Sequence, residues 1–147
     1  MTRTWGVNAR EAGSVSIEVV ILAPVLMLFI LGIVFGGRYA LAQQGVQTAA
    51  ADAARSASIA RSAGEAGDAA ASAAASSLAN QNLSCASQSV NIDTGAFAAP
   101  PGTPGTVSAT VTCVVDMSDL AFPGIPGNQT LTSTMTSPLD TYRSRNG

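Results

Sequence analysis

The feature that most constrains this chain is an uncharged apolar run from Val19 to Phe35, seventeen residues long. That length lies in the range of a membrane-spanning helix, about 17–25 residues. A cleaved secretory signal has a shorter apolar core ending in a small-residue site. Here the run continues into Gly36-Gly37-Arg38 and a helix-forming segment, so it reads as an anchor in the lipid bilayer. One carboxylate, Glu18, stands at its mouth, five residues after Gly13. A charge costs roughly 2.5–3.5 kcal/mol at the centre of an inserted helix and less near the interface. An apolar residue would anchor equally well, so Glu18 needs a reason; one is simple snorkelling to the headgroups. Pro24, inside the run, removes one helix hydrogen bond and predicts a kink or local loosening, which membrane helices tolerate.

Composition limits what the rest can be. Hydrophobic residues make up 47% of the 147 but aromatics only 5%, so the apolar content outside the run is largely alanine. Such a chain builds long, closely packed helices more readily than a thick core. The formal charge is −2, with no lysine and no histidine. A nucleic-acid partner would need a basic patch, which is lacking, and histidine-based acid–base or metal chemistry is excluded. Arginines flank the run on both sides (Arg3 and Arg10 before, Arg38, Arg55 and Arg61 after), so the positive-inside rule gives no orientation. The two cysteines and the Ser/Thr-rich C-terminal part favour export of the C-terminus.

Gly13-Ser-Val-Ser-Ile-Glu18, then the apolar run, resembles the processing signal of type IV pilin-like proteins. More narrowly, GSVSIEVVILAPVL followed by GIVFGGR resembles the TadE-like family, minor pseudopilins of tight-adherence (Tad/Flp) pilus systems. The likeness runs from about Gly13 to Ala60. It implies a prepilin peptidase cutting between Gly13 and Ser14, insertion with the N-terminus in the cytoplasm, and an exported C-terminal region. It also implies other pilins or pseudopilins and a membrane assembly platform as partners. Glu18 would then pair with the new amine of a neighbouring subunit. Val19 stands where major tight-adherence pilins carry Tyr, which speaks against a major pilin. The resemblance divides the chain into a leader (1–13), a transmembrane helix (14–37), an extended Ala-rich helical region (38–80) and a small β-rich exported region (81–147).

Beyond Arg38, Tyr39, Ala42, Val46, Ala49, Ala53, Ala57 and Ala60 recur at steps of three and four, one stripe of a helix. A helix from about Glu18 to Ala63 would be roughly 70 Å long, only its first half inside the bilayer. The stripe suits bundling with other subunits or packing under the chain's own sheet. Asp52 and Arg55 are spaced for an i,i+3 pair, and Gly45 is a weak point costing ~1 kcal/mol relative to Ala. Gly64-Glu-Ala-Gly67 reads as a break, and Asp68–Ala79 as a second helix begun by Asp68 or as a disordered low-complexity segment.

From Leu83 the pattern changes to short β-branched runs. Ser89–Asp93 and Gln129–Ser137 alternate, and Thr106–Asp116 alternates best. Val107, Ala109, Val111, Cys113 and Val115 share one face against Ser108, Thr110 and Thr112. Two Gly/Pro-rich breaks, Gly95–Gly105 and Phe122–Gly127, separate them. The expectation is a type IV pilin-like α+β fold: a long N-terminal helix on an antiparallel sheet of about three strands. If exported, Cys85 and Cys113 form a disulfide. Closing a ~29-residue loop, it would add roughly 3–4 kcal/mol to a thin core.

No G-x-S-x-G elbow, phosphate loop or zinc spacing is present, and Asp116 with Asp119 is too sparse a set for a calcium loop. No enzyme, cofactor, metal or small-molecule substrate is expected. The function expected is that of a structural pilus or secretion subunit in pilus biogenesis or adhesion. The alternative is an uncleaved signal-anchored envelope protein whose C-terminal region binds a ligand or partner.

Overall fold

The structure, a computed structural model, describes residues 12–120 and 124–142. Helix α1 spans Ala12–Ile59 and continues through Pro24 as α-helix. Helix α2 spans Ala63–Asn80. Three strands follow, β1 (Cys85–Asp93), β2 (Thr106–Asp116) and β3 (Asn128–Pro138), as an antiparallel sheet in the order β1-β2-β3. The two helices lie side by side on one face of the sheet, α1 over β2 and β3 and α2 against β1. The α+β class expected from the pattern is the one observed.

The core between these layers is built from small residues. Of the expected stripe, Ala42, Val46, Ala49, Ala53, Ala57 and Ala60 are buried, with Ala50 and Ala54 beside them, whereas Tyr39 is exposed. Ala66, Ala70, Ala74 and Leu78 bury the facing stripe of α2. With almost nothing larger than a methyl group at the contacts, the helices approach closely and the sheet closes over them. Of the two roles open to the stripe, α1 uses it beneath its own sheet. On β2, Val107, Ala109, Val111, Cys113 and Val115 are the buried face. The opposite face carries the threonines, joined across strands by Thr110–Thr134 (2.8 Å) and Thr112–Thr132 (3.2 Å) hydroxyl contacts.

The turn between the helices differs from expectation. The break lies at 60–62, not at Gly64–Gly67, and both glycines are inside α2. Ser62 rather than Asp68 is the N-cap: the Glu65 N–H donates to its hydroxyl at 3.2 Å, and the Arg61 N–H donates to the Glu65 carboxylate at 2.9 Å. These two bonds, a variant of the capping box, satisfy two donors at the helix start, which outweighs two glycines at ~1 kcal/mol each in a helix packed along its length. The segment read as possibly disordered is an ordered helix. It ends in a Schellman turn: Leu83 N–H donates to Leu78 C=O and Asn82 N–H to Ala79 C=O, with Asn82 at φ 54°.

Strand β1 begins at Cys85, four residues earlier than the alternation suggested, because its register is irregular between Cys85 and Ser87. Of β1, Cys85, Val90 and Ile92 pack against the core. The first Gly/Pro-rich break, Gly95–Gly105, opens with a 3-10 turn at Gly95–Ala98. Of the second Gly/Pro-rich break, residues 122 and 123 lie outside the described residues; Gly127 closes its far end by accepting from Met117 N–H at 2.6 Å.

Candidate functional site

Two regions carry the chemistry the sequence singled out, and the fold holds them apart. At the start of α1, the Gly13–Ser14 bond lies in the first turn, with Glu18 four residues on, exposed. The leader before Ala12 lies outside the described residues. Every residue from Ile17 to Ile30 is exposed, and Phe29 alone leaves 67% of its surface uncovered. An apolar surface this extensive marks an interaction site, and the helix is long and apolar enough to cross a membrane. Among the described residues none covers Glu18, whose carboxylate is open to a partner.

The second region is the packed head. Cys85 and Cys113 form a disulfide, Cα atoms 5.4 Å apart, between the first residue of β1 and the fully buried face of β2. About 30 Å of helix separates Glu18 from Arg38, where the head begins.

Arg38 is the hinge between the two regions. Its guanidinium donates to Asp119 at 2.6 Å, tying α1 to the short 3-10 turn Ser118–Leu120 after β2. Sequence reasoning expected a pair at Asp52–Arg55; among the described residues the ion pair is this one instead. It also occupies one of the two acids weighed for calcium. The other, Asp116, accepts from the Ser118 N–H at 2.9 Å; bonds from the Ser118 hydroxyl and backbone hold its carboxyl below the ordinary value of 3.8. Among the described residues no three potential metal ligands cluster.

Beside Arg38 opens a cleft of about 480 Å³ between α1, the α2–β1 turn and the end of β2. Gln81 roofs it, donating to the carbonyls of Ser77 (3.1 Å) and Gly45 (3.4 Å). This explains Gly45: a Cβ there would meet Gln81 Oε1 and Leu83 Cδ2, each at 3.1 Å. The weak point of the helix is where the α2–β1 turn must approach α1 closely. The cleft brings together amides, Ser84 and Asp116 without a base–nucleophile pair.

Ser137 near the end of β3 contacts the Ser58 hydroxyl at 3.2 Å, while the start of β3 pairs with Asp116 at the Arg38 end. Strand β3 therefore runs alongside α1, about 30 Å of strand matching about 30 Å of helix.

No curated protein and no solved structure matches the chain. The family model for TadE-like proteins matches residues 13–55, from the glycine before Ser14 through the apolar segment to the buried stripe. Residues 13–55 are thus similar to TadE-like proteins, and the matched segment includes the helix that is long and apolar enough to cross a membrane.

Proposed function

We propose that this chain is a minor pseudopilin of a Tad-type pilus or secretion machine, a structural subunit without catalytic activity. In this reading it inserts with its N-terminus in the cytoplasm and its head outside the cytoplasmic membrane, extracellular or periplasmic. A prepilin peptidase cuts between Gly13 and Ser14. The observation that carries the reading is the exposed apolar segment from Ile17 to Ile30, continuous with a packed head and holding one exposed carboxylate. In the membrane that segment is lipid-covered; in an assembly the same surface packs on neighbouring pilins. A carboxylate that is costly alone is then paired by a neighbour's new N-terminal amine, so Glu18 sets register rather than anchoring. Pro24, lacking its N–H, leaves one helix hydrogen bond unmade within the segment that must repack.

The N-terminus decides the matter. Intact-mass measurement of the membrane-fraction protein, with the peptidase co-expressed, is expected to give a chain beginning at Ser14. A chain beginning at Met1 would favour an uncleaved signal anchor with a partner-binding head. Glu18→Leu is expected to insert and be cut but to be lost from pulled-down pilus complexes; normal assembly of that variant would refute the pairing.

A further inference from the structure

The stripe of α1 that faces the sheet does not stop where the projecting part of the helix ends. Below Val46 and Ala42 it continues at helical spacing through Arg38, Phe35 and Leu31. Leu31, Gly32 and Phe35 are half-buried, in contrast to the fully exposed residues from Ile17 to Ile30, and Phe35 packs against the core cluster. The head thus covers one face of the last turns of the apolar run. The Arg38–Asp119 clasp fixes the start of the β2–β3 connection at this level. The same connection presents Ile125, 38% exposed, between Gly124 and Gly127.

Length then places these residues relative to the bilayer. Ile17–Ile30 spans roughly 21 Å, short of a hydrocarbon layer about 30 Å thick. Filling it requires the helix to stay immersed to about Gly37, roughly 31 Å. Leu31–Phe35 then lie inside the outer leaflet, and the part of the head that covers them descends with them. We propose that in the membrane-inserted protein the head is seated on the bilayer, with residues 124–127 around Ile125 immersed in the outer-leaflet interface. The occupant of this surface is lipid, at the boundary of headgroups and acyl chains. Arg38 reaches headgroup level on its long apolar stem, and Asp119 tethers the connection there.

The proposal rests on reading the apolar run as a membrane anchor, and the test separates the two. Trp5 is the single tryptophan, so Trp5→Phe with Ile125→Trp gives one reporter in the full-length chain. Thr103→Trp in the same background reports the β1–β2 connection at the far end of the head. Both are reconstituted into phosphatidylcholine vesicles brominated at defined acyl positions and floated on a density gradient. The expected result is flotation of both, with Ile125→Trp emission blue-shifted and quenched at least threefold more than Thr103→Trp. Flotation with equal quenching overturns the seating alone. Failure of either to float overturns the anchor and the seating with it. Ile125→Cys carrying a nitroxide covers the case in which tryptophan disturbs the fold. Its relaxation should respond to oxygen over a nickel chelate, and nickel access equal to that of labelled Thr103→Cys would refute the proposal.

Discussion

Reducing the Cys85–Cys113 disulfide tests what holds the head together. The bridge joins residues 28 apart in sequence, and the chain-entropy account gives a stabilisation of roughly 3.5 kcal/mol for a loop of that length. A domain of about 100 residues loses around 4–8 °C of melting temperature per kcal/mol, so reduction should lower the transition by roughly 15–25 °C. Reduction is a cleaner perturbation than alanine replacement, because Cys113 is fully buried and truncating it would add a cavity. The assay is a circular-dichroism melt of the full chain in detergent, with and without reductant. The Cys85→Ala/Cys113→Ala double variant serves as an insensitive control. The structure also says where the loss appears first. Strand β1 is mostly exposed and held to the core by little more than Val90 and Ile92. Amide exchange at Ser87–Asp93 should therefore rise on reduction before that of β2 and β3. A shift under about 3 °C, or uniform exchange across the sheet, would mean that strand pairing alone specifies the head.

Two further outcomes are expected. Ser62→Ala removes the hydroxyl that caps α2 and should cost about 0.5–2 kcal/mol in urea unfolding; a change below about 0.2 kcal/mol would show that the helix start is set elsewhere. Asp116 has its carboxyl pKa lowered in the folded state, so its contribution is present above the unfolded value near 3.8 and is lost as pH falls through the lower folded value. Carbon-detected titration should find Asp116 ionising below 3.8 and moving upward in Ser118→Ala, and an ordinary carboxylate titration would contradict the Ser118 contacts.

Much of the architecture was legible because single residues obey one period at a time. The alternation of β2 and the three–four stripe of α1 each follow from burial of one face, and the structure buries those faces except at Tyr39, where the stripe begins. The helix break was misplaced because glycine was weighed as a breaker, although the Ser62-x-x-Glu65 signature that fixes the start of α2 lies two residues before Gly64. The first residues of β1 carry no alternation, since so little of that strand is covered. The Arg38–Asp119 clasp joins positions 81 apart, and no local pattern announces a partner at that distance. Gly45 shows the same limit: its cost to the helix is readable locally, while its reason, Gln81 lying across it, is a tertiary fact. Of the candidate site, the apolar run and Glu18 were evident from charge spacing alone; that the head reaches down over Leu31 and Phe35 was not.

The alignment of β3 with α1 has a mechanical consequence. Tension on the apolar end of α1 acts along the shared axis of helix and strand, from the Arg38 clasp at one end to the Ser58–Ser137 contact at the other. Such a load makes the helix slide against the sheet, so the whole interlocked row of methyl groups must yield together. A pull across that axis would open the contacts one at a time. The head is thus attached in shear, the geometry that best resists a pull along its own stem.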